Sequence, residues 1–269
     1  MTPTTARPEG QVFSLDALFR TCRDEGRAAL VGYLPAGFPT VGDSKRMLSA
    51  MLDGGCDLVE VGVPYSDPVM DGPTIQAAAD EALHAGFRLR DVFSVVESVA
   101  SAGGRAVVMT YWNPVHRYGV DAFARDLASA GGLGLITPDL IPDEADDWMA
   151  ASAEHVLDRI FLIAPSSTEE RIACTVAASS GFVYATSVMG VTGARDSVGA
   201  AAADLVRRAR AHTELPIGVG LGVRSAGQAA EIAAFADAVI VGSAFVSRVR
   251  DSEQAVHTLA TELAEGVRR

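Results

Sequence analysis

The chain has 269 residues, of which 49% are hydrophobic and 21% charged, and its formal net charge is −12. This length suits one large domain, and the balance of apolar and charged residues is that of a soluble globular protein. The acidic charge argues against nucleic acid as a partner, and no apolar run approaches the ~20 residues that span a bilayer.

The cysteines and the first residues of the chain indicate the cellular compartment in which the protein works. Cys22, Cys56 and Cys174 are odd in number and widely spaced, which suits reduced thiols rather than a disulfide framework. The first ten residues contain no apolar segment of the kind found in secretory signals. We therefore expect a cytoplasmic protein that does not bind membranes.

Short runs of β-branched and apolar residues alternate with longer amphipathic stretches along the chain. These runs are too short and too uniformly apolar for half-exposed antiparallel strands, so we expect buried parallel strands. The eight predicted strands are, in chain order, Ala29–Leu34, Leu58–Val63, Ala106–Tyr111, Leu133–Thr137, Ile160–Ala164, Phe182–Thr186, Ile217–Gly220 and Ala238–Val241.

The predicted helices have recognisable ends. Ser14 is a candidate N-cap for an N-terminal helix over Leu15–Glu25, and the spacing of Ser167 and Glu170 is that of a capping box. Further helices outside the alternating pattern are expected over Asp91–Ala102 and Ser252–Glu265.

Eight β/α units in one chain predict a closed (β/α)8 barrel, the TIM barrel, with an extra N-terminal helix and additional helices. We expect a single domain over residues 1–269. The competing architecture is an open doubly wound sheet, which gives no reason for so regular a spacing. In a barrel the functional site lies at the C-terminal ends of the strands.

A carboxylate lies inside the second predicted strand. Glu60 stands among valines, where burial would raise its pKa and leave a proton available near neutral pH. The alternative is that Glu60 faces solvent or pairs with an arginine. The turns Asp67-Pro68 and Asp71-Gly72-Pro73 follow and fix where further carboxylates point, so Asp71 is the candidate partner in an acid/base pair.

Glycine-rich segments follow the last three predicted strands. They contain Gly190 and Gly193, Gly220 and Gly222, and Gly242 with Ser243. Glycine lets backbone N–H groups approach an anion closely, and the helix beginning at Ser243 offers an N-terminus that attracts phosphate. One such segment is typical of any β/α loop, but three on neighbouring loops predict a phosphate cradle.

Six motifs, in the right order, resemble those of the tryptophan synthase alpha subunit family. The resemblance runs from about Phe13 to the C-terminal helix. The motifs are Tyr33–Pro39, Glu60–Gln76, Met109–Pro114, Thr137–Asp139, Met189–Gly193 and Val241–Ser243.

The resemblance implies a lyase that cleaves indole-3-glycerol phosphate to indole and glyceraldehyde 3-phosphate in L-tryptophan biosynthesis. It also implies an alpha2beta2 heterotetramer in which a beta subunit receives the indole, and no cofactor or metal in this chain. By motif position, Glu60 and Asp71 would be the catalytic carboxylates. Phosphate would be held by Gly193, Gly222, Gly242 and Ser243. The indole and glycerol pocket would be formed by Tyr33, Met109, Tyr111, Ile163, Tyr184, Thr192 and Leu221.

Two other functions stay open on these residues. One is a stand-alone lyase that releases free indole, and the other is a non-catalytic barrel that binds a sugar phosphate and regulates a partner. The two carboxylates argue against the regulator, because a buried carboxylate destabilises a fold that does not use it. The single lysine, Lys45, lies at the start of a helix, which argues against Schiff-base chemistry.

Overall fold

The structure is a computed structural model that describes residues 14–186, 195–220 and 222–268, without the side chains of 195–198. Within these ranges nine strands form one parallel sheet. They are β1 (Ala29–Pro35), β2 (Leu58–Gly62), β3 (Ala106–Met109), β4 (Gly134–Ile136), β5 (Asp158–Ile160), β6 (Leu162–Ile163), β7 (Val183–Thr186), β8 (Ile217–Gly220) and β9 (Ala238–Val241).

Helices follow or precede these strands around the outside of the sheet. A 3₁₀ turn covers Pro142–Glu144. The α-helices are α1 (Leu15–Asp24), α2 (Val41–Asp53), α3 (Pro73–His84), α4 (Asp91–Ser101), α5 (Trp112–Tyr118), α6 (Val120–Ser129), α7 (Asp146–Glu154), α8 (Glu169–Ala178), α9 (Arg195–Arg210), α10 (Ala226–Ala233), α11 (Ser243–Val249) and α12 (Glu253–Val267). No helix in the described ranges is long and apolar enough to cross a bilayer.

The two edges of the sheet meet inside a single stretch of chain. The strand order is β5-β4-β3-β2-β1-β9-β8-β7-β6, so β5 and β6 are the two ends. These two strands are separated only by Phe161, which divides the predicted fifth strand. The sheet is therefore a nearly closed barrel whose nine strands correspond to the eight predicted ones. This confirms the TIM barrel and excludes the open doubly wound sheet.

Helix α1 closes the N-terminal end of the barrel. Its apolar side chains, among them Leu18 and Phe19, pack in one cluster with Leu58 and other residues that begin the strands. The rings of Phe19 and Phe182 lie 5.7 Å apart between centroids. Ser14 caps this helix by accepting the N–H of Ala17 at 3.1 Å, as predicted.

Strand register decides which polar residue faces the barrel interior. Leu58 belongs to the interior cluster, and side chains two residues apart on a strand point to the same face. Glu60 therefore points inward, beside Tyr33, its register partner on β1. The side-chain layers at the N-terminal end of the barrel interior are apolar. The Glu60 carboxylate lies one layer closer to the C-terminal ends of the strands.

One predicted helix start is displaced by one residue. Thr168, not Ser167, caps α8, because its side chain accepts the N–H of Arg171. The Ser167 hydroxyl instead accepts the N–H of Ala164 at 3.1 Å, within the turn before the helix. Adjacent Ser and Thr residues offer the same capping chemistry, so the sequence alone did not separate them.

Candidate active site

Glu60 is a buried carboxylic acid in the middle of β2. It is 1% exposed, and neither side-chain oxygen has a hydrogen-bond partner among the described residues. Burial raises its pKa from 4.5 to about 8, because the charged form loses its hydration. The side chain therefore carries a proton at neutral pH. The alternative in which Glu60 faces solvent or pairs with an arginine is wrong.

This raised pKa has a consequence for stability. Between about pH 4.5 and pH 8 the folded chain keeps the Glu60 proton while the unfolded chain releases it, so folding is progressively destabilised as pH rises. Wild-type protein should lose roughly 3–5 kcal/mol of unfolding free energy over this range relative to Glu60→Gln. Urea titrations of both proteins at several pH values measure the difference.

The matched control for this experiment is Glu97→Gln. Glu97 lies exposed on α4, so the same chemical change there should give a pH dependence that parallels wild type. If the unfolding free energies of wild type and Glu60→Gln instead changed with pH in parallel, Glu60 would not be held protonated by the fold.

Two tyrosines flank Glu60, and each fits against a glycine at a strand end. A Cβ atom on Gly62 would lie 2.3 Å from the hydroxyl oxygen of Tyr33, and one on Gly220 would lie 2.5 Å from that of Tyr184. Burial raises the pKa of both hydroxyls well above the usual value, and the nearby Glu60 and Asp71 add to the effect. Both tyrosines are therefore neutral walls of the site.

The space-making roles of Gly62 and Gly220 were not predicted. The available signal was a glycine interrupting an otherwise β-branched strand, which marks a close approach by another group. Only the tertiary structure shows that the approaching group is a tyrosine of the neighbouring strand.

Asp71 lies in the segment between β2 and α3. Burial raises its pKa, and hydrogen bonding with the Tyr111 hydroxyl opposes that rise. The Gln76 side chain donates to the Asp71 carbonyl oxygen at 2.7 Å, which ties this segment to the first turn of α3. Asp71 and Glu60 both act electrostatically on Tyr33 and Tyr184, so the two predicted carboxylates lie near the same pair of tyrosines.

The predicted pocket residues are only partly assembled in the described structure. Met109, at the end of β3, packs against the interior cluster. Ile163 pairs with Ala185, and Leu162 pairs with Tyr184. Ile163 is 1% exposed in the cluster that also contains Tyr33, whereas Leu162 packs against the interior cluster. The structure therefore adds Leu162 beside Tyr184, and the place of Ile163 in the pocket stays a prediction.

Three of the predicted phosphate residues, Gly222, Gly242 and Ser243, follow the last two strands. Gly222 has a backbone φ of +51°, in the left-handed region that favours glycine. Gly242 immediately precedes α11, and a Cβ there would lie 3.4 Å from the Tyr33 ring. Ser243 is the first residue of that helix. Thr192, Gly193 and Leu221 lie outside the described residues.

The comparison with protein families decides the identity of this barrel. A sequence model described as tryptophan synthase alpha chain matches residues 19–268. The chain belongs to the tryptophan synthase alpha chain family. Relatives with that name include one from Nocardia farcinica, 67% identical over 93% of this chain and 94% of the relative. Another, from Mycobacterium marinum, is 66% identical over 95% of both chains.

Solved structures extend the family likeness to the fold. A chain from the structure of Mycobacterium tuberculosis tryptophan synthase has a TM-score of 0.91 and 62% identity, covering 95% of this chain and 98% of that one. The alpha subunit of tryptophan synthase from Legionella pneumophila has a TM-score of 0.86 at 28% identity, over 95% of this chain and 98% of that one. The tryptophan synthase alpha chain family thus shares this barrel over nearly its whole length.

Proposed function

We propose that the chain cleaves indole-3-glycerol phosphate to indole and glyceraldehyde 3-phosphate, as the alpha subunit of tryptophan synthase in L-tryptophan biosynthesis. The observation that carries this proposal is the protonated Glu60 at the barrel mouth, beside a second carboxylate, Asp71. A retro-aldol cleavage of this substrate needs a proton donor and a proton acceptor at two separate atoms. Membership of the tryptophan synthase alpha chain family supports the same reaction.

Glu60 is proposed as the group that moves protons at the bond being broken. Direct loss of the glycerol chain from indole C3 would expel a poor carbanion, so C3 must first receive a proton. Glu60 holds one at neutral pH because its pKa is about 8. Once ionised, the same carboxylate can accept the proton of the glycerol hydroxyl as the aldehyde forms. One buried group thereby serves both transfers.

Asp71 is proposed as the acceptor at the indole nitrogen. Protonation of C3 places positive charge on the ring, and that charge is relieved when N1–H is stabilised and then released to a fixed base. Asp71 lies against the Tyr111 hydroxyl, whose hydrogen bonding favours the ionised carboxylate. In this proposal an acid serves C3 and a base serves N1 of the same indole ring.

The far end of the substrate is proposed to be anchored by its phosphate. Gly193, Gly222, Gly242 and Ser243 are the proposed contacts, with backbone N–H groups and the start of α11 facing the anion. Tyr33, Met109, Tyr111, Ile163, Tyr184, Thr192 and Leu221 are proposed to enclose the indole and glycerol parts, with Leu162 beside Tyr184. Binding energy from the phosphate would orient the reacting atoms without contacting them.

A tryptophan synthase beta subunit is the proposed partner, in an alpha2beta2 complex. The M. tuberculosis relatives of known structure are described as tryptophan synthase, which supports an assembly of this kind. The proposal also includes a single domain over the whole chain, a cytoplasmic location, and no cofactor bound by this chain.

The test is an assay of indole formation from indole-3-glycerol phosphate, with and without a tryptophan synthase beta subunit. We expect slow cleavage by the chain alone and a clear rise in rate on titration with the beta subunit. A flat titration at a high basal rate would favour the stand-alone lyase. Binding of glycerol phosphate without any cleavage in either condition would favour the regulatory barrel and contradict the proposal.

A further inference from the structure

A single hydroxyl holds the backbone that leads into Asp71. The hydroxyl oxygen of Tyr111 accepts the N–H of Val69 at 3.2 Å and the N–H of Met70 at 3.1 Å. Tyr111 is 5% exposed, and its ring lies 5.3 Å from that of Tyr65 between centroids. The position of this oxygen is therefore fixed by packing, and it fixes the two residues immediately before the carboxylate.

The hydrogen-bonding capacity of this hydroxyl is then fully used. A phenol has one proton to donate and two lone pairs to accept with. Both lone pairs of Tyr111 receive backbone N–H groups, so only the proton is left. The carboxylate of Asp71 lies near this hydroxyl, and hydrogen bonding between the two opposes the rise that burial causes in the Asp71 pKa. A side chain occupied in this way has nothing left to bind a substrate hydroxyl.

We propose that Tyr111 is a positioning residue, whose hydroxyl holds the 69–71 segment in place and directs its remaining proton towards the Asp71 carboxylate, the proposed base. The inference rests on the proposed function, which gives Asp71 that role. It assigns to the Tyr111 hydroxyl a task different from lining the indole pocket.

The same contact distinguishes the two carboxylates. Glu60 has no hydrogen-bond donor among the described residues and keeps its proton. Asp71 has the Tyr111 hydroxyl, which opposes the effect of burial on its pKa. Asp71 also acts electrostatically on Tyr33 on β1 and Tyr184 on β7, two buried tyrosines that are neutral at pH 7. Among the described residues, Tyr111 therefore supplies the hydrogen bonding that distinguishes Asp71 from Glu60.

The test compares Tyr111→Phe with Tyr65→Phe in the full chain. Each variant removes one hydroxyl from the same pair of neighbouring, tilted rings. The Tyr65 hydroxyl is bound by the Asn113 side chain at 3.1 Å, so its loss should leave Asp71 unaffected. Two readouts are used: the Asp71 pKa from carbon NMR of its carboxyl group, and the exchange rates of the Val69 and Met70 amides.

We expect Tyr111→Phe to raise the Asp71 pKa by about one unit and to speed exchange of both amides at least about tenfold. The acid limb of kcat/KM should move to higher pH by the same amount, with a fall in kcat and little change in KM. Tyr65→Phe should change neither NMR readout. An unchanged Asp71 pKa in Tyr111→Phe, or equal effects of the two variants, would overturn the inference.

Wild-type protein supplies a test that does not depend on the variants folding. The Val69 side chain is 78% exposed, so burial would not protect its amide. Slow exchange at Val69 and Met70, relative to Ser66 and Asp67 of the same segment, is the expected result, and equal exchange would overturn the inference. The NMR and exchange readouts need no substrate. A failure of the indole assay, which tests the proposed function, is therefore distinguishable from a failure here.

Discussion

Glu60→Gln should lower the turnover of indole-3-glycerol phosphate by at least ~10³-fold while leaving substrate affinity within about tenfold of wild type. Glutamine keeps the shape of protonated glutamate but cannot give its proton to C3 or accept one from the glycerol hydroxyl. The substitution breaks no hydrogen bond within the described part of the chain, because neither Glu60 oxygen has a partner there. Steady-state and single-turnover assays with the beta subunit present separate turnover from binding.

Two comparisons make this result specific. Glu97→Gln, on the exposed face of α4, should turn over at the wild-type rate. Turnover near wild type in Glu60→Gln would mean that the buried carboxylate of β2 is not the acid/base. Asp67, an exposed residue of the same loop that accepts the Ser66 hydroxyl at 2.6 Å, would then become the next candidate.

Asp71→Asn should also lose most turnover, by at least ~10²-fold, because an amide cannot accept the N1 proton. Asp71→Glu is the discriminating variant. A longer carboxylate still carries the charge and the basic oxygens but misplaces them relative to Tyr111, so part of the activity should remain. The order wild type, then glutamate, then asparagine is expected in kcat under saturating substrate.

Asp67→Asn is the matched control for these variants, since Asp67 lies in the same segment and its side chain is exposed. It should keep most of the wild-type rate. Equal losses in Asp71→Glu and Asp71→Asn would indicate that position 71 contributes shape rather than a base, which contradicts the assigned role.

The features that the sequence predicted well are those that depend on local pattern. The eight apolar runs, the helix at Leu15 and its cap at Ser14 follow from periodicity and capping chemistry, and the structure confirms them. The burial of Glu60 was also predictable. A parallel strand is usually covered on both faces, so a carboxylate among its valines is buried on either face. These inferences need no knowledge of distant residues.

The features that were missed depend on contacts between distant parts of the chain. The break at Phe161 and the pairing of Leu162 with Tyr184 depend on how the barrel closes, which no strand encodes alone. The Tyr111 contact joins residues about 40 positions apart in the chain. The family resemblance named Tyr111 as a pocket residue, and only the structure shows which atoms its hydroxyl contacts.

The closure of one end of the barrel by α1 also limits how a small molecule can enter and leave the barrel interior. Because Leu18 and Phe19 pack against the first layer of strand residues, the barrel interior is closed at its N-terminal end. A molecule held against Glu60 has to leave by the mouth through which it entered, past Tyr33 and Tyr184. A subunit that receives the product would therefore have to contact the barrel at that mouth.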